Sequence, residues 1–168
     1  MNKDLERTFL NALDESQEKL LRVCYSYANN TEEAKDLFQE VLVNIWRALP
    51  NFNGDSSLTT WMYRITLNVG LRYRSNLLRD KKRISEIGSF CIEQIGGHQE
   101  ESGSRHKLEL LRQCVRHLNE IDKAIITLYL EELPYKEIGA IMGLKENTIA
   151  VRVKRIKTKL LNCLNEKL

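Results

Sequence analysis

Residues 135–157 read YKEIGAIMGLKENTIAVRVKRIK, and the placing of apolar residues and glycines in this stretch leaves few folds open. Ile138, Met142, Leu144, Ile149 and Val153 have the spacing of two short helices. Gly139 is small enough for close helix approach, and Gly143 can adopt the positive φ of the turn between them. Ile149 and Val153 would pin the second helix to the first. The pattern predicts a helix-turn-helix with Arg152, Lys154, Arg155 and Lys157 facing outward, where cations meet phosphates and base edges in a major groove. A helical hairpin with a solvated charged face would have the same spacing, so this segment alone does not fix a function.

A second block, residues 51–74, reads NFNGDSSLTTWMYRITLNVGLRYR. Gly54 and Asp55 predict a turn, and Ser56 or Ser57 can cap a helix by accepting a backbone N–H bond at its start. Trp61, Ile65, Asn68 and Arg72 then share one helical side, with Tyr63, Tyr73 and Arg74 nearby. Aromatic faces accept stacked bases, an amide reads a base edge and arginine neutralises phosphate, so the block suits unpaired nucleic acid. The competing reading makes Trp61, Ile65 and Val69 plain core with the arginines as a solvated rim.

Elsewhere the helical period continues and strand signals are nearly absent. Leu5, Phe9 and Leu13 predict a first short helix; Leu20, Leu21, Cys24, Tyr27 and Ala28 predict a second, ending at Asn29 and Asn30. Thr31 is the expected N-cap of a third, whose Ala34, Leu37, Phe38, Val41, Leu42, Ile45 and Trp46 form a broad apolar stripe before Pro50. Residues 84–105 carry Gly88, Gly96, Gly97 and Gly103 among polar residues and read as a linker with one helical turn at most. Helices are expected again over 106–118 and 121–131, the latter behind Asn119 as cap. The predicted fold class is all-α: two small helical domains, 1–83 and 106–168, joined by a flexible linker over 84–105, the C-terminal one a helix-turn-helix.

The chain's 168 residues, 42% hydrophobic and 29% charged, suffice for two such domains. Its formal net charge is only +3 but unevenly placed. Arg72, Arg74, Arg79, Lys81, Lys82 and Arg83 face a single acid, Asp80, and seven basic residues between Lys145 and Lys167 oppose Glu146 and Glu166. The stretch between, 84–101, has four acids and no Lys or Arg. Two basic ends suit a protein touching DNA at two places. No apolar run approaches the roughly 20 residues needed to span a bilayer, and the N-terminus lacks the apolar core of a secretory signal, so the cytoplasm is the expected location without membrane insertion. Cys24, Cys91, Cys114 and Cys163 show no CxxC pair; Cys24 and Cys114 are expected to pack as small hydrophobes. Cys114 and His117 form a C-x-x-H that could join His98 or His106 around zinc, but a structural zinc takes four ligands with a second close pair, so no metal and no cofactor is assigned.

The order of the blocks, EEAKDLFQEVLVNIWRALPNF, NGDSSLTTWMYRITLNV, a polar linker, LPYKEIGAIMGLKENTI and a basic helix, resembles the extracytoplasmic-function group of sigma factors over nearly the whole chain. The resemblance implies a first domain that binds the clamp helices of bacterial core RNA polymerase and opens the minus-10 promoter element as single strand. It implies a second domain that reads the minus-35 element as duplex, and an anti-sigma protein as regulator. Residue by residue it implies polymerase binding at Asp36, Gln39, Glu40, Asn44 and Arg47. Minus-10 contacts fall to Phe52, Trp61, Asn68, Arg72 and Arg74, with Asn68 at a base-capturing position and Trp61 as the wall that orders the loop.

The chain departs from the family pattern at two places. Pro134 stands where a capping serine is common, and it has no side-chain acceptor. Ala150 and Val151 replace usual polar contacts on the recognition helix, which moves expected base contacts to Asn147, Thr148 and Arg152 and leaves phosphates to Lys154, Arg155 and Lys157. A stand-alone helix-turn-helix regulator is the alternative function. An enzyme is disfavoured by the lack of a phosphate-cradling glycine loop, a metal set or a nucleophile-base signature.

Overall fold

The computed structural model describes residues 3–87 and 103–168, whose regular structure is helical throughout. The helices are α1 (Lys3–Tyr25), α2 (Thr31–Ala48), α3 (Leu58–Ile87), α4 (Ser104–Arg116), α5 (Glu120–Leu130), α6 (Tyr135–Met142) and α7 (Glu146–Lys167), with a 3-10 turn at Leu49–Asn51. The all-α expectation holds.

In the first half α1, α2 and α3 pack pairwise on one another. α1 is a single helix where two were expected, because residues 14–19, DESQEK, are polar but contain no glycine or proline and are mostly good helix formers. Asn30, not Thr31, caps α2: its Oδ1 accepts from the Glu33 N–H at 2.9 Å, while Glu33 Oε2 accepts from the Asn29 N–H at 3.0 Å. The two bonds satisfy donors at both sides of the helix start. Leu20 and Val23 from α1, Leu37, Val41 and Ile45 from α2, and Met62, Tyr63 and Val69 from α3 are all buried. Each such side chain contributes about 1.5–3 kcal/mol when removed from water. Trp46, expected on the apolar stripe, is 42% exposed and meets Phe9 with ring centroids 5.8 Å apart. Gly70 faces Tyr27 so closely that a Cβ would lie 2.6 Å from the ring, so the notch at Gly70 seats the tyrosine.

In the second half Asn119 caps α5, its Oδ1 accepting from the Asp122 N–H at 2.9 Å. Gly143 takes φ 69° and ends α6, as the turn required. The tight approach at Gly139 is to the turn itself: a Cβ there would lie 2.6 Å from the Leu144 carbonyl oxygen. Pro134 precedes α6 without a side-chain cap bond. Ile138, Ile149, Val153 and Ile156 close the helix-turn-helix core with Ile125 and Leu128 of α5.

Two cysteine expectations separate. Cys24 is free and buried. Cys114, expected as a packed thiol, is joined to Cys163 in a disulfide across α4 and α7, with Cα atoms 6.0 Å apart. A bonded Cys114 sulfur is no thiolate ligand, which removes the C-x-x-H zinc reading; Cys91 and His98 lie outside the described residues. The helices also claim both ends of the expected linker: α3 runs on to Ile87 and α4 starts at Ser104, leaving the linker reading of 88–102 outside the described residues.

Candidate nucleic-acid interface

α3 starts where Ser57 Oγ accepts the Thr60 N–H at 3.1 Å and also meets Thr60 Oγ1 at 2.9 Å, so Ser57 is the capping serine. Gly54, at φ 80°, makes the turn before it, and Asn53 and Asp55 bond to one another across that turn. This start fixes which α3 residues share a side. Trp61, Ile65, Asn68 and Arg72 lie within about 60° of arc around the helix. Asn68 and Arg72 are exposed, and Trp61 is half-buried against Phe52, with ring centroids 5.2 Å apart. The loop and the helix therefore meet through an aromatic pair beside a free amide and a guanidinium.

Arg74 does not join this group. It lies roughly 120° around α3 from Asn68, and its guanidinium reaches the second domain, donating to the Arg116 carbonyl at 3.1 Å and pairing with Glu120 at 3.3 Å.

On α2, Asp36, Gln39, Glu40 and Arg47 are exposed and Asn44 is half-buried, all on one side of the helix. Asn44 donates from Nδ2 to the Glu40 carbonyl at 2.8 Å and accepts from Arg72 at 3.4 Å, which joins the polar α2 side to the exposed α3 stripe. Burial, with Glu33 accepting its hydroxyl and Asp36 close by, pushes the Tyr73 phenol up to about 12 at the same seam.

The six α7 candidates are treated differently by the fold. Asn147 and Thr148 are exposed in the first turn, and Lys154 and Arg155 are exposed further along. Arg152 turns inward instead, pairing with the buried Asp122 at 3.0 Å, because Asp122 needs cations that Arg152 and Lys159 supply. Lys157 is exposed but donates to the Tyr129 hydroxyl at 2.6 Å and lies 4.3 Å from the Tyr129 ring centre; that bond raises its pKa. Tyr129 stacks in turn on Tyr135 at 6.0 Å.

Sequence reasoning missed the arginines that cross between the domains. Arg22 of α1 donates to Glu131 at 2.8 Å. Arg64 of α3 donates to the Ile141 carbonyl at 3.3 Å and to that of Ala140, in the last turn of α6. Beside Arg74, the Lys123 side chain is wholly buried with its ammonium 3.7 Å from Glu120 and without a hydrogen bond. Burial, then the Arg74 charge, pulls its pKa down to about 8, with Glu120 acting in opposition. No local signal marks Arg64, since its partners are main-chain carbonyls of another domain.

Residues 13–83 match the family model for Sigma-70 region 2, and residues 108–160 match that for Sigma-70, region 4. The RNA polymerase sigma-H factor of Pseudomonas aeruginosa is 29% identical over 150 residues, covering 84% of this chain and 78% of that protein. The ECF RNA polymerase sigma-E factor of Escherichia coli is 34% identical over 137 residues, 74% of this chain and 70% of that protein. Among solved structures, the sigma factor RpoE of Bartonella quintana, in complex with the anti-sigma factor NepR, aligns with a TM-score of 0.67 at 25% identity over 98% of both chains. CnrH, solved with the cytosolic domain of CnrY, shares the fold at a TM-score of 0.69 and 20% identity, over 97% of this chain and 91% of that one. With both sigma regions in order, the chain belongs to the extracytoplasmic-function group of RNA polymerase sigma factors, which direct promoter recognition and transcription initiation. The stand-alone regulator is not favoured.

Proposed function

We propose that this sigma factor binds core polymerase through the polar side of α2 and captures a minus-10 base beside α3. The minus-35 duplex is then read with the start of α7. The observation that carries the minus-10 assignment is the single exposed stripe of Asn68 and Arg72 beside the Phe52–Trp61 pair. Asn68 is the base-reading amide, Arg72 a phosphate contact, and Trp61 the wall that holds the loop. Unstacking a base costs a few kcal/mol, which a preformed pocket and stacking can offset. On α7, Asn147 and Thr148 are the base contacts, and Lys154 and Arg155 hold phosphates. The chain acts by binding rather than turnover, in the cytoplasm; no helix among the described residues is long and apolar enough to cross a membrane. One of its structural neighbours, RpoE of Bartonella quintana, was solved in complex with the anti-sigma factor NepR, which supports an anti-sigma protein as the regulator here.

The test is reconstitution with bacterial core polymerase. Only the mixture should melt a promoter, seen as reactive unpaired thymines around the minus-10 element, and Asn68→Ala should reduce melting while leaving core binding intact. Tight sequence-specific duplex binding by the chain alone, unaffected by core enzyme, would overturn the reading.

A further inference from the structure

Val151 is a large apolar side chain that the second domain leaves in water, at 53% exposure. It stands two residues from Ile149 and two from Val153, which are buried in the helix-turn-helix core, so it lies about 160° around α7 from each and faces outward. Asn147 and Thr148 precede it by four and three residues, and Lys154 and Arg155 follow it by three and four. All four are exposed and lie within about 60° of it around the helix. The valine thus sits at the centre of the face that carries the proposed base and phosphate contacts. A singly exposed apolar residue ordinarily needs no explanation. This one occupies the middle of a polar, cationic face, at a helix position that alanine would fill at lower conformational cost. Ala150, beside it, is half-buried, so of the two residues that depart from the family pattern on this helix Val151 is the one presented outward.

The major groove admits an α-helix and presents a distinct pattern at each base pair, in which the thymine 5-methyl is the apolar element. A valine side chain has no donor or acceptor. Set against a G·C pair it would cover the guanine O6 and N7 or the cytosine amino group without replacing their hydrogen bonds to water, which is costly. Set against a thymine it takes a methyl group out of water instead. Lys154 and Arg155, one turn further along, supply phosphate contacts that fix the helix in the groove, and Asn147, one turn earlier, is of the side-chain type that pairs with adenine. We infer that Val151 is a specificity-determining residue of α7, selecting a thymine in the upstream element by contact with its 5-methyl group. This contact rests on the reading of α7 as the minus-35 helix and names the base that one of its positions takes.

The experiment uses the full chain with bacterial core polymerase. Binding to a library of upstream duplexes at fixed salt gives the preferred element, and each thymine in it is then replaced in turn by deoxyuridine, which keeps every hydrogen-bonding group and lacks only the methyl. One replacement should weaken wild-type binding by about three- to tenfold. Val151→Ala should bind the thymine duplex about as weakly as wild type binds the uracil one, and should lose nothing further with uracil. Alanine is the better helix former at an exposed site, so thermal unfolding of this variant should show no loss of stability. Val151→Arg should move the preference at that pair toward guanine. A preferred element with no methyl-sensitive thymine, or a methyl effect that persists undiminished in Val151→Ala, would overturn the role of Val151 while leaving α7 as the minus-35 helix. A holoenzyme with no upstream preference would overturn the minus-35 reading of α7, and the valine contact with it.

Discussion

Arg152 and Asp122 hold each other at 3.0 Å from α7 and α5, the carboxylate side chain only 7% exposed and the guanidinium 36%. Asp122 also receives Lys159 at 3.2 Å and Asn119 Nδ2 at 3.0 Å, so one buried anion organises three donors around the foot of α7. Asp122→Asn should therefore destabilise the second domain by about 2–4 kcal/mol, leaving cations without their counterion. Arg152→Ala should cost about 1 kcal/mol because Lys159 remains. In binding against a library of upstream sequences at fixed salt, Arg152→Ala should weaken the complex without changing its sequence preference. A relaxed preference would return Arg152 to the role of base reader.

Gly139→Ala places a methyl carbon 2.6 Å from the Leu144 carbonyl oxygen, which is backbone and cannot swing aside. The helix-turn-helix should lose about 1–3 kcal/mol, measured by thermal unfolding, together with minus-35 duplex binding. Gly103→Ala, where a Cβ meets nothing within 4 Å, is the control and should be neutral.

Lys123 titrates at about 8 in the folded chain instead of 10.5. Between those values the unfolded chain holds the proton that the folded one has released, so folding stability attributable to this residue rises with pH across that window. Below pH 8 both states are protonated and the burial cost is constant. The groups facing it are Glu120 on its own helix, Arg74 from α3 and Arg116 from α4. Wild type should gain about 1–3 kcal/mol relative to Lys123→Met between pH 7.5 and 10, followed by denaturant unfolding at each pH. Referring to Lys123→Met cancels the opposing trend of Tyr63, Tyr73 and Cys24, whose burial pushes each up to about 12.

The Cys114–Cys163 bond closes a sequence separation of 49 residues. A loop of that length corresponds to about 4 kcal/mol of unfolded-chain entropy. Reductant and Cys163→Ser should lower the melting temperature equally, and reductant should have no further effect on the variant.

What the sequence revealed and what it hid differ by range. Ser57, Asn119 and Gly143 were legible because a cap or a turn is settled within one helical turn of the residue that makes it. The bond from Arg64 to Ala140 crosses 76 positions and that from Arg152 to Asp122 crosses 30, and nothing near Arg64 or Arg152 announces a distant partner. The disulfide was hidden for the same reason. Arg74 shows how this affects a candidate site: its sequence neighbours include the proposed DNA contacts Asn68 and Arg72, but its position around the helix sends it to Arg116 and Glu120.

α3 carries two stripes about a third of a turn apart, one holding Asn68 and Arg72 and the other Arg64 and Arg74. In a genetic selection this one helix would yield two distinct phenotypes from adjacent codons. Lesions on the first stripe would be losses of promoter use with the fold intact, while lesions on the second would loosen the seam to the second domain and emerge as temperature-sensitive alleles. The Leu67 and Asn68 codons stand side by side, so the register of a single helix, rather than distance along the gene, would separate the two classes.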